Sequence, residues 1–215
     1  MKKLVVTLLL AAMTLSVVAC GGKKDKNNGS TEPSTSVVES SVEESSKEES
    51  SEVEESTEAD GGEVAEGVTP QDLKDAVIAA LGENFWPNME IPADFLETTY
   101  GVTPDMYDAY VADMPMISAN VDTLIIVQAK EGQVEAVEAA LNAYRDVLVN
   151  DTFQYPSNLG KIQASRVDVI GNFVCFIQLG ADTMAEQEIS EEAVIEKCQA
   201  DNQTAYDAIK AVAEQ

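Results

Sequence analysis

Residues 121–130, "VDTLIIVQAK", are the feature that most limits what this chain can fold into. The stretch is rich in β-branched residues and apolar on both faces around Ile125 and Ile126. A strand with no wet face must be covered from both sides, so it is expected at a central position of a sheet. The residues after it are equally legible. "QVEAVEAALNAYRDVLVN" sets Val134, Val137, Leu141, Tyr144 and Leu148 at three- and four-residue spacing, the mark of an amphipathic helix. "IQASRVDVIGNFVCFIQLG" reads as a hairpin with Gly171-Asn172 as a two-residue turn of type I′ or II′. On one arm Val167 and Val169 alternate with Arg166 and Asp168; the other arm is nearly all apolar. The order strand, helix, hairpin, helix predicts an α+β fold. Its sheet is a small antiparallel one of three to four strands with helices packed on one face, preceded by a helical N-terminal part. Residues 114–119, "MPMISA", are the candidate fourth strand.

The N-terminal part has its own punctuation. Thr69 is a good cap, Pro70 suits the first helical position, and Asp72 sits in the first turn. Leu73, Val77, Ile78 and Leu81 then share a face and Gly82 ends the helix. Residues 92–100 and 104–113 read as two short helices, each opened by proline, with Gly101 between them and Thr103 as a cap. In the second, Met106, Tyr107, Tyr110 and Met114 recur at helical spacing, either as core or as a binding face. Trp86, the only tryptophan, lies in irregular "NFWPNMEIP", where it either lines a ligand groove or seals the end of the core. "TFQYPSNLGK" is expected to be a loop because Pro156, Asn158 and Gly160 are turn-formers. The last 26 residues read as a terminal helix, interrupted near Asp201-Asn202 and started by Ser190 with Glu191 and Glu192 favouring its first turn.

Ahead of this domain, 68–215, the composition changes. Residues 21–67 hold 14 acidic, 4 basic and ten serine residues and no aromatic. Such a segment cannot bury enough apolar surface to offset the entropy of ordering it, so a disordered tether is expected over 20–67. As a flexible coil it would span roughly 40 Å. Residues 4–18, "LVVTLLLAAMTLSVV", come directly after Lys2 and Lys3. They are too short to cross a bilayer, which needs about 20 apolar residues, but they suit a secretory signal over 1–19. Ala19 before Cys20, with Val17 in place of the more usual Leu, resembles the bacterial lipobox. That resemblance implies a diacylglycerol on the Cys20 thiol, palmitate-type acyl chains, a Gram-positive-style lipoprotein, and a place on the extracytoplasmic face of the cell membrane. Two acyl chains anchor stably, at about 0.8 kcal/mol per buried CH₂. Lys23, Lys24 and Lys26 either add attraction to an anionic surface or merely solvate the linker.

The domain carries 25 acidic and 7 basic residues, a net charge of −18. Nucleic acid is therefore not an expected partner, since binding it means neutralising phosphates with Lys and Arg. The chain has no histidine, which removes Ser-His-Asp and Cys-His catalysis and the usual His-bearing zinc sets. Cys175 and Cys198 lie in apolar contexts and are expected to be buried free thiols, although a disulfide is geometrically open. No phosphate loop, nucleophile elbow or EF-hand is present, so no cofactor and no metal site is assigned.

Taken together, "PDMYDAYVADMPMISANVDTLIIVQAKEGQVEAVEAAL", the "QYP" turn and the "VIGNFVCFIQ" hairpin resemble a clostridial lipoprotein family catalogued as domain of unknown function 4358. The resemblance covers roughly 84–180. It implies location behind a lipobox and tether, and no catalytic residue.

These features allow two readings of function. The first is a non-enzymatic binding or accessory domain at the cell surface, with Trp86, Tyr107 and Tyr110 as candidate binding residues and a protein or wall polymer as partner. The second is a carboxylate-dependent hydrolase of wall glycan. It would use a pair such as Asp105 and Asp108, or Glu135 and Glu138, each expected on one helical face. A two-lobed solute receptor does not fit a domain of this length.

Overall fold

The computed structural model describes residues 64–150 and 153–215. The expected signal segment, Cys20 and nearly all of the expected tether lie outside the described residues. The chain enters earlier than composition implied. Val64 packs against the core and the Ala65 N–H donates to the Ala213 carbonyl at 2.7 Å.

The fold is α+β, as expected, around an antiparallel sheet. It has five strands rather than three or four: β1 (Met89–Glu90), β2 (Tyr107–Met114), β3 (Thr123–Ala129), β4 (Arg166–Ile170) and β5 (Phe173–Gln178). Their order is β1-β2-β3-β5-β4, which puts β3 in the middle. The helices are α1 (Pro70–Leu81), α2 (Ala93–Tyr100), α3 (Val134–Asn150), α4 (Pro156–Gln163), α5 (Met184–Gln187) and α6 (Glu191–Ala213).

Helices cover both sides of the sheet, not one. On one face Leu124, Ile126, Phe173, Cys175 and Ile177 meet Leu73 and Val77 of α1 and Ala205 and Ile209 of α6. On the other, Ile125, Val127, Val174 and Phe176 meet Leu96 and Tyr100 of α2 and Val137 and Leu141 of α3. This is what the two-faced apolar pattern of β3 demands. Each fully buried Leu, Ile or Phe contributes about 1.5–3 kcal/mol.

Local signals held where they were chemical. Thr69 and Asp72 form a reciprocal capping box at the start of α1. Gly101 closes α2 in the left-handed region, at φ 73°. Gly171, at φ 57°, turns the β4–β5 hairpin while Asn172 stays at negative φ, the sign pattern of a II′ turn.

Four further expectations are corrected. Residues 104–113 are not a helix: Tyr107–Met114 form β2, the strand beside β3. The register shifts between Tyr107 and Ala109, leaving Asp108 as the extra residue of a bulge. Tyr107, Tyr110 and Met114 therefore share a face three and four residues apart, which imitates helical spacing. Residues 114–119 do not supply the additional strand. Residues 156–163 are helical, because Pro156 opens α4 and Gly160 allows it to lie against α6. A Cβ on Gly160 would stand 2.5 Å from Val194 Cγ1. Finally, α6 runs unbroken through Asn202. Its buried side chain accepts from Leu179 N–H at 2.8 Å and donates to the Ala164 carbonyl at 2.7 Å. A side chain occupied in this way does not compete with the helix backbone.

Candidate functional site

Three places in the fold gather chemistry. The first is a buried lysine. Lys161 Nζ donates to Asp122 Oδ1 at 2.6 Å, the Ala181 carbonyl at 2.6 Å and Asn120 Oδ1 at 3.2 Å. Asp122 Oδ2 accepts the Ala181 N–H at 2.8 Å. Burial pushes the Asp122 carboxyl up, with Lys161 and the Ala181 and Gly180 backbone working against it. All three ammonium protons are spent, so this cluster joins α4, the β2–β3 connection and the turn after β5 as a structural lock.

Trp86 lies beside that lock. It is 41 % exposed, its ring centroid is 5.5 Å from Lys161 Nζ, and its indole N–H donates to the Glu83 carbonyl at 3.1 Å. It shares a small hollow, about 210 Å³, with Met184, which is 72 % exposed. Tyr107 and Tyr110 are elsewhere, on β2. Their rings meet edge-to-face at 5.2 Å and the Tyr110 hydroxyl donates to the Ile91 carbonyl at 3.2 Å. The three candidate binding residues are thus not brought together.

The carboxylate pairs fare similarly. Asp105 is exposed in the turn before β2 and Asp108 is exposed on the bulge, so they share no helical face. Thr103 and the Asp105 backbone hold the Asp105 carboxyl below its ordinary range. Glu135 and Glu138 lie on α3, as expected, on its outer side. Cys175 and Cys198 are free and buried; burial raises both thiols, Cys198 to about 11. Among the described residues no cluster of His, Cys, Asp or Glu could hold a metal ion.

The third place is a pocket of about 480 Å³ at one end of the sheet, between α2 and α3. Its walls are mostly apolar and aromatic, with Phe95 and Tyr100 from α2, Tyr144 and Leu148 from α3, Met89 and Met114 from the strands, and Met116, while Thr99, Ser118, Asn120 and Gln154 add polar groups at the rim. The rings form a continuous line. Phe95 meets Tyr100 edge-on at 6.2 Å, Tyr100 meets Tyr144 at 4.3 Å, and Tyr144 meets Phe176 at 5.6 Å. Thr123 and Gln178, paired across β3 and β5, give the sheet side a polar strip. Burial raises the Tyr100 and Tyr144 phenols. No Asp, Glu, Lys or Arg lines the pocket. A hollow of about 630 Å³ lies between residues 64–69 and the hairpin turn, but it is shallow and lacks aromatic or ionisable side chains.

An apolar, half-enclosed space of this size with a few convergent polar groups is the usual form of a small-ligand site. Sequence reasoning missed it. The signals were Thr123 and Gln178, polar residues at matching ends of two otherwise buried strands, and Tyr144 in the inward stripe of α3.

No curated protein and no solved structure matches the chain significantly. A family model does match, over residues 82–179, under the description "Domain of unknown function (DUF4358)". The match takes in the whole sheet and every residue lining the α2/α3 pocket, and leaves α1 and α6 outside. Residues 82–179 of this chain thus match the model of the domain family that its motifs resemble.

Proposed function

We propose that this chain is a ligand-binding module displayed on the outer face of a cell membrane, anchored by lipid on Cys20 and spaced from the bilayer by its acidic tether. The observation that carries the binding half is the α2/α3 pocket: apolar, uncharged and walled by three aromatic rings. The ligand is small enough to enter about 480 Å³. Support for the anchor is the apolar run 4–18 ending at Ala19-Cys20, and support for the tether is its serine- and glutamate-rich composition. That pocket holds no carboxylate, and the hollows beside Gly171, Gly160 and Trp86 hold at most one each, Glu191 in the second and Asp182 in the third. A glycan hydrolase needs two carboxyls across one cleft, so the geometry favours binding.

Each half has its own test. Cys20→Ser should release the protein from the membrane fraction and abolish palmitate labelling; a variant still sedimenting with membranes would remove the anchor. A panel of small apolar compounds should include some that raise the melting temperature of the wild type and leave Leu148→Trp, which fills the pocket, unmoved. A panel that shifts neither protein, or both alike, would remove the pocket as the site.

A further inference from the structure

We propose that the occupant of the α2/α3 pocket is an uncharged molecule with an apolar body and a hydrogen-bond donor, N–H or O–H, which it gives to Gln178 Oε1. This rests on the pocket being the binding site. Gln178 is the last residue of β5, 1 % exposed, and part of the pocket lining. Its Nε2 donates to the Val121 carbonyl, which fixes the amide, because the reverse orientation would set two acceptor oxygens against each other. Oε1 is left buried with no donor, the one side-chain polar atom in that state among the described residues. Buried acceptors are nearly always paired, so an unpaired one on a residue that lines a pocket marks where a ligand supplies the missing half.

The neighbouring hydroxyls do not fill the gap. Thr123 Oγ1 donates to the Val121 carbonyl at 3.0 Å, and neither Tyr100 nor Tyr144 donates to Oε1. The strip therefore offers an acceptor to an incoming group. An anion would face that oxygen and repel it. A full positive charge would be buried with no carboxylate in the lining, a costly arrangement without a counter-ion. A neutral donor head on an aromatic or aliphatic body fits both the oxygen and the rings of Tyr100 and Tyr144.

Paired probes test this on the full chain by NMR titration: 2-naphthol against 2-methoxynaphthalene, and indole against 1-methylindole. Within each pair the body is the same and only the donor is lost. The donor member should bind about tenfold tighter, the effect of one buried hydrogen bond, and should move the Gln178 side-chain carbonyl resonance. In Gln178→Met the difference within each pair should vanish while the methylated probes keep their affinity. Equal binding of both members to the wild type would overturn the donor requirement and leave the pocket standing. Failure of all four probes to move the Tyr144 and Leu148 resonances would overturn the pocket and this proposal with it. Should Gln178→Met not fold, the wild-type pairs decide alone.

Discussion

Replacing Lys161 by methionine keeps most of the aliphatic stem and removes the ammonium. Asp122, with its side chain fully buried, would then retain only backbone N–H donors for a charge that burial already disfavours. Breaking a buried pair from one side costs about 3–5 kcal/mol, a large share of the 5–15 kcal/mol that holds a typical domain together. With a urea slope of about 2 kcal/mol/M, a loss near 4 kcal/mol moves the unfolding midpoint down by about 2 M. Trp86 is the chain's only tryptophan and sits over the lysine, so its fluorescence reports the transition directly. The deficit should also depend on pH. Without Lys161, the Asp122 carboxyl in the folded protein is raised further above its ordinary 3.8, so the folded state holds the proton more tightly than the unfolded chain. Stability from that proton is fully present below about pH 3.8 and is lost as pH rises through the folded value. The variant's deficit must therefore be larger at pH 7 than at pH 4.5. A deficit below about 1 kcal/mol at pH 7, or one identical at both values, would refute the account of Lys161 as the counter-charge of a buried carboxylate.

Ala181 is the one described non-glycine residue at positive φ, 43°, so Ala181→Gly should stabilise by about 0.5–1 kcal/mol, read as a higher urea midpoint at unchanged slope. Gly160→Ala should cost about 1–3 kcal/mol through its clash with Val194, and Val194→Ala in the same chain should recover much of it by calorimetry. Thr69 holds the Asp72 carboxyl below 3.8; its contribution is present above that value and is lost as pH falls through the folded one, so α1 amides should lose exchange protection only in that acid range. Cys175 and Cys198 should react with maleimide at pH 8 only as urea unfolds the chain, because burial raises both thiols; rapid native labelling would contradict their burial.

The amino-acid sequence by itself determined the elements whose signals are local. Thr69, Pro70 and Asp72 start α1, Gly101 stops α2, Gly171 turns the hairpin, and the two-faced apolar run of β3 requires a central strand. These depend on donors, acceptors and φ angles within a few residues of each other, and they survive in any tertiary setting. Only the tertiary structure decided the rest. The bulge at Asp108 arises from pairing with β3 and turns a helix-like spacing into a strand. Pro156, Asn158 and Gly160 make a helix because α6 and the Ala119 carbonyl lie where their atoms can use them. Asn202 stays helical because two backbone groups on other segments occupy its amide. The pocket is the extreme case. Its aromatic wall and its unpaired acceptor come from positions 95, 100, 144 and 178, which are far apart in sequence and become a site only when α2, α3 and the ends of β3 and β5 converge.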